Sequence, residues 1–234
     1  MTDSSFEPPI PVDLQRRLLS EKRNGSSDDF AVLIGLNTEL RHQANISIAY
    51  QVLLERGYSA KNIFILDTSR SAFFPTIDIT SRASIVLLFS YLTDIMDSSD
   101  TLVVYVTGHG IRDGNRSYMM LNPSERMRNE EFVSILHGLE LKSGLLFVDE
   151  CYAGNSMLSD CRWTTITVST DERTTTGNAF PRIFWQALRD GHGLIDSFDV
   201  AMRLDPHTSQ KYENRPVMIQ CDGSTPLLSV PLLR

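Results

Sequence analysis

The chain has 234 residues, 41% of them hydrophobic, which is enough for one substantial core. A formal net charge of −7 and a pI near 5.2 leave no electrostatic reason to seek nucleic acid or an anionic membrane. The apolar runs fall far short of the roughly 20 residues of a membrane span, and the opening "MTDSSFEPPIPVDLQRR" lacks the basic-then-apolar order of a secretory signal. A soluble, cytoplasmic protein with no nucleic-acid or membrane partner is therefore expected.

Residues 1–28 read as a flexible leader and residues 29–234 as the folded domain. "FAVLIGL" (30–36) is a short apolar run closed by glycine, a buried strand. "RHQANISIAYQVLLERG" keeps helical spacing through Ile46, Ala49, Tyr50, Leu53 and Leu54, with Gly57 placed to end it. "NIFIL" (62–66) is the next strand, and "DITSRASIVLLFSYLTDIM" (78–96) a helix capped by Thr80 or Ser81. "TLVVYV" (101–106) and "GLLFV" (144–148) are strands; between them lie a loop or hairpin, "IRDGNRSYMMLNPSERM", and a helix, "NEEFVSILHGL". "WTTITVST" (163–170) is a further strand, followed by helices in "AFPRIFWQALRDG" and "LIDSFDVAMRL" and a last strand in "RPVMIQ" (215–220). Strands alternating with helices predict an α/β fold: about six strands, mostly parallel, with helices on both faces.

In such sheets the chemistry lies beyond the carboxyl ends of the strands. Two strand ends carry reactive groups there, "TGHG" around His109 and "DECYAG" around Cys151. A cysteine attacks as its thiolate, and an imidazole both stabilises that form and relays protons. His109 is the candidate base and Cys151 the candidate nucleophile. The backbone N–H groups of Gly110 and Cys151 would form an oxyanion hole. Taken singly, a glycine-flanked histidine is more often a turn, and a cysteine ending a strand more often a small packed hydrophobe. The pairing of the two raises the catalytic reading. His42 and His137 read as structural, His192 and His207 as loop residues without an assigned partner, and Cys161 and Cys221 as packing residues. Three cysteines without C-x-x-C spacing suggest a reducing compartment and no metal or other cofactor.

"YVTGHG" followed about forty residues later by "FVDECYAG" resembles the His-Gly and Asp-x-Cys pair of caspase-like cysteine peptidases. That group includes caspases, metacaspases, legumains and the catalytic subunit of the glycosylphosphatidylinositol transamidase. The caspase Q-A-C-x-G signature is absent. "RHQANISIAYQ" is similar to a legumain segment, as is "ECYAGNSML". The resemblance spans residues 30–170 and implies a three-layer α/β/α caspase-like fold with thiol-protease activity on protein or peptide substrates. It also implies substrate-pocket roles for Arg41, Asp149, Ser169 and, in a weak alignment, Asp171. Legumains carry an asparagine where Glu39 stands, so the group orienting His109 would be Glu39, Asn37 or a backbone carbonyl. They carry an aspartate where Gly108 stands.

Read physically, a donor-only guanidinium (Arg41) facing an acceptor-only carboxylate (Asp149) suits an asparagine side chain, and suits aspartate better as pH falls. An acidic pocket of Asp149, Asp171 and Glu172 would instead suit Arg or Lys. The charges of 111–128 (Arg112, Asp113, Arg116, Arg126 and Arg128) read as a solvated face. The resemblance to caspase-like folds implies that this edge also borders the substrate cleft, and Asn178 is a candidate self-processing position by its residue type alone. A transamidase or ligase would use the same acyl-enzyme, and a non-catalytic binding domain would keep only the fold.

Overall fold

A computed structural model describes residues 27–69, 74–158, 160–170, 179–208 and 215–220. The expected leader lies outside these residues apart from its last two positions. Six strands form one sheet: β1 (Asp29–Gly35), β2 (Ile63–Asp67), β3 (Thr101–Thr107), β7 (Ser143–Asp149), β8 (Trp163–Thr167) and β9 (Val217–Ile219). Their order is β2-β1-β3-β7-β8-β9, parallel except for the antiparallel edge strand β9. Between β3 and β7 the expected loop or hairpin is a three-stranded antiparallel ribbon, β4 (Gly110–Asp113), β5 (Arg116–Asn122) and β6 (Glu125–Arg128).

Five helices cover the sheet: α1 (Leu40–Glu55), α2 (Arg82–Ile95), α3 (Asn129–His137), α4 (Ala179–Arg189) and α5 (Leu194–Leu204). Strand alternation decides which face each residue serves. Val32, Ile34, Val104, Val106, Leu146 and Val148 pack with α2, α3 and the ribbon. Ala31, Leu33, Val103, Tyr105, Leu145 and Phe147 pack with α1, α4 and α5. The central strands are buried on both faces and so read as continuous apolar runs. The architecture is the expected α/β arrangement, a mostly parallel sheet with helices on both sides.

Local chemistry sets the helix ends. Ser81 caps α2 in a reciprocal box with Ser84: the Ser84 N–H donates to Ser81 Oγ at 3.0 Å, and the Ser81 N–H donates to Ser84 Oγ at 2.9 Å. α1 closes on Gly57, whose φ of +93° suits glycine. There the Tyr58 N–H donates to Leu53 O and the Gly57 N–H to Leu54 O, a Schellman close. The expected strand 163–170 ends earlier, at Thr167, where the sheet gives way to the loop that approaches Cys151.

Phe147 anchors the α4 side. Its ring centroid lies 5.0 Å from Tyr105, 4.9 Å from Phe184, 6.1 Å from Trp185 and 6.3 Å from Phe180. Phe147→Ala leaves a cavity beneath four rings and is expected to cost about 3–5 kcal/mol, measured by denaturant unfolding.

Candidate active site

β3 and β7 are in register through Thr107↔Asp149, and the Gly108 N–H donates to Asp149 O at 3.1 Å. His109 lies two residues beyond Thr107 and Cys151 two residues beyond Asp149, both at the carboxyl ends of the two central strands. Gly110 touches the Cys151 backbone so closely that a Cβ there would lie 2.0 Å from the Cys151 carbonyl oxygen. Cys151 is partly exposed and free of any disulfide.

The loop after β7 is held on both sides of the cysteine. Tyr152 is left-handed (φ 58°, ψ 33°), turning the chain sharply at the next residue. Ser169, fully buried, donates its hydroxyl to Glu150 O (2.8 Å) and accepts the Ala153 N–H (3.0 Å). Ser169, for which the resemblance implies a pocket role, clips the loop that carries Cys151. Glu150 is also fully buried and takes Asn129 Nδ2 at 2.8 Å; burial pushes its carboxyl well above the ordinary range.

His109 is half-exposed, and its Nε2 lies 2.5 Å from Glu39 Oε1. Of the orienting groups expected from sequence, Glu39 makes the contact, whereas Asn37 Oδ1 accepts the Glu39 N–H at 3.0 Å. Glu39 is held below the usual carboxylate range, first by the hydrogen bond to His109 and, against some burial, by Arg41. Arg41 Nε donates to Glu39 Oε2 at 2.7 Å, so Arg41 is paired with Glu39 rather than with Asp149.

Asp149 lies at the end of a buried polar chain. Its Oδ2 accepts from Thr107 Oγ1 (2.7 Å), Asn45 Nδ2 (3.2 Å) and Tyr105 OH (3.4 Å). Burial nevertheless pushes its carboxyl up to about 6. Thr107 Oγ1 also lies 2.6 Å from His42 Nδ1. With Asp149 ionised, the one hydroxyl proton goes to the carboxylate, so His42 Nδ1 donates to Thr107 and its buried Nε2 stays a bare acceptor. Burial lowers His42 to about 4, so the ring is neutral; it stands edge-on to His109 with centroids 5.8 Å apart.

Sequence reasoning missed Thr107, Asn45, Tyr105, Asn129 and the part taken by His42. The available signal was spacing: His42 and Asn45 fall one helical turn apart at the start of α1, above the end of β3. Asp171, Asn178 and Cys221 lie outside the described residues. Cys161, expected as a packing residue, is exposed and disulfide-bonded.

Two clefts of about 510 and 400 Å³ lie around α4, α5 and His192; neither is lined by His109 or Cys151. Among the described residues no helix is long and apolar enough to cross a membrane, and no group of three His, Cys, Asp or Glu side chains is arranged to hold a metal. No protein-family model matches the chain, and no curated protein matches its sequence.

The Asp149 chain makes stability depend on pH. The folded state holds this proton more tightly than the unfolded state, whose carboxyl has its ordinary value near 3.8. The Asp149 contribution is therefore largest below that value, falls as pH rises to about 6, and is level beyond. The full loss is at most about 3 kcal/mol. Asp149→Asn, which keeps an acceptor for the three donors, is expected to remove most of this slope in chemical denaturation measured from pH 3.5 to 7.

Proposed function

We propose that the chain is a cysteine endopeptidase of legumain-like type. The observation that carries this reading is the β3–β7 register, with the Gly110 backbone pressed against Cys151. His109 takes the Cys151 thiol proton, and the thiolate attacks the substrate carbonyl carbon. The oxyanion is met by the Gly110 and Cys151 N–H groups. The C–N bond breaks as the amine takes the proton from His109, leaving a thioester. Water, deprotonated by His109, attacks the thioester and restores the thiol. Glu39 holds the imidazole by one nitrogen. The neutral state of His42 spares that imidazolium a second positive charge beside it. No step requires a cofactor.

For the residue before the cleaved bond, asparagine fits best. Arg41 spends Nε on Glu39, which leaves its terminal nitrogens to meet an amide oxygen. Asp149 collects its three donors on Oδ2, which leaves Oδ1 as acceptor for the amide nitrogen. Aspartate meets repulsion from this carboxylate until Asp149 is protonated.

A diverse peptide library incubated across pH 4–8 tests the whole reading. Cleavage after Asn is expected, with the Asp-to-Asn rate ratio rising as pH falls through about 6. Cys151→Ala is expected to abolish turnover, and Glu39→Gln to lower kcat about 10–100-fold by loosening His109. Preference for Arg or Lys would reject the pocket assignment, and cleavage that persists in Cys151→Ala would reject the mechanism.

The same close approach makes Gly110 sensitive. Gly110→Ala pushes a methyl into the Cys151 carbonyl, and turnover is expected to fall at least 100-fold. Because the clash is with backbone, some loss of thermal stability is expected to accompany it, and residual turnover is compared at a temperature where the variant remains folded.

A further inference from the structure

The ribbon leaves an open strand edge that begins at the candidate site. The Met120 N–H donates to His109 O at 2.9 Å, and the ladder pairs Ile111 with Tyr118 and Asp113 with Arg116. In an antiparallel pair, hydrogen-bonded and non-bonded residues alternate. His109, Ile111 and Asp113 therefore turn their main-chain groups toward β5. Gly110 and Arg112 turn theirs the other way, and among the described residues β5 is the one strand paired with β4. The hairpin fixes this parity: the two-residue turn Gly114-Asn115, with Gly114 at φ +59°, closes on the Asp113–Arg116 pair. A Cβ on Gly110 would point at the Cys151 carbonyl oxygen, so the Cys151 backbone lies against one face of β4 at Gly110. Among the described residues the unpaired edge thus passes beside the Cys151 backbone at Gly110, and its next outward pair of main-chain groups, at Arg112, comes about 7 Å further along the strand.

We infer that the edge of β4 is the rail on which the substrate polypeptide docks. An extended chain adds a strand there by pairing with the N–H and C=O of Arg112, and its scissile carbonyl is delivered to Gly110 and Cys151. This rests on the peptidase reading of the site. The class of chain preferred is acidic at the residue opposite Arg112. The Arg112 side chain is exposed on β4, Nε bound to Gly114 O at 3.0 Å, with its terminal nitrogens turned to solvent. Arg116, Arg126 and Arg128 add exposed positive charge to the ribbon of a chain that is otherwise acidic. Asp113 is matched by Arg126 at 3.5 Å, so it does not cancel Arg112. A cross-strand pair of opposite charges adds a modest preference, about two- to fivefold.

Two arms test this. In the first, Arg112→Pro is compared with Arg112→Ala on the best library peptide. Proline removes an N–H that points away from β5, the edge position where a strand tolerates it. Arg112→Ala is expected to lose only the preference for Asp or Glu. Arg112→Pro is expected to cleave about tenfold more slowly than Arg112→Ala, the worth of one main-chain hydrogen bond. Labelling of Cys151 by iodoacetamide is expected to stay equal in both. Equal cleavage by the two variants overturns the proposal.

The second arm needs no catalysis. Amide hydrogen exchange is followed by NMR in Cys151→Ala with an excess of an extended peptide bearing Asn flanked by Asp and Glu. Slowed exchange at Gly110 and Arg112, with Ile111 unchanged from its already protected state, supports docking on β4. Unchanged exchange at Arg112 overturns it. Should no library peptide be cleaved, the peptidase reading fails by that result, and this second arm alone decides whether the edge takes a chain.

Discussion

Two buried carboxyl groups on adjacent residues, facing opposite sides of the sheet, fix where Cys151 sits. Asp149 faces α1, where Asn45 donates to it, and takes Thr107 and Tyr105 from the neighbouring strand. Glu150 faces the other layer, where Asn129 at the start of α3 donates to it. Burying a carboxylate is costly unless it is well bonded or gives up its charge. The two residues use the two remedies. Glu150, pushed well above the ordinary carboxylate range by burial, is shifted toward its neutral form and takes the Asn129 amide. Asp149, pushed only to about 6, keeps its charge at neutral pH behind three donors. The strand end is thus tied to both helical layers just before the thiol, and Ser169 ties the loop just after it.

The histidine side is built at the expense of helix capping. Glu39 stands at the N-cap of α1 yet caps nothing with its side chain. Its two oxygens go to His109 and Arg41. A serine or aspartate there would hold the helix start better, by about 1 kcal/mol. The chain has instead a carboxylate long enough to reach the next strand end, and the positive pole of α1 favours its charge. The same pole disfavours a proton on His42, which sits in the first turn. One helix terminus thus helps to keep Glu39 charged and His42 neutral.

What the sequence made legible follows from periodicity. Buried parallel strands are apolar throughout, helices repeat every three or four residues, and both patterns survive in one dimension. His109, Cys151 and Gly110 were legible because they fall where those patterns stop. The polar contacts beneath them were not. Thr107, Asn45 and Asn129 are ordinary residues in elements 21–104 positions from their partners, and no local pattern announces a contact of that range. The clip made by Ser169 was not legible for the same reason: a serine clipping a loop and a serine lining a pocket look alike until burial is known. Arg41 was set against Asp149 through the resemblance, while in the structure its Nε donates to the nearer carboxylate, Glu39, two residues away.

The two glycines around His109 have separate steric causes, and together they place the imidazole. A Cβ at position 108 would lie 2.4 Å from the Leu36 Cβ, where β3 passes the end of β1. A Cβ at position 110 would lie 2.0 Å from the Cys151 carbonyl oxygen, where the ribbon passes the end of β7. The chain therefore crosses from a parallel sheet to an antiparallel ribbon by threading between its two neighbours, with His109 as the one residue in the crossing that carries a side chain. An aspartate at 108, the residue legumains carry there, requires Leu36 to withdraw. The departure at 108 is thus coupled to the placement of Leu36, a fully buried member of the core on the α2 side: because the clash is with the Leu36 Cβ, only glycine at 36 or a shift of the backbone there would relieve it.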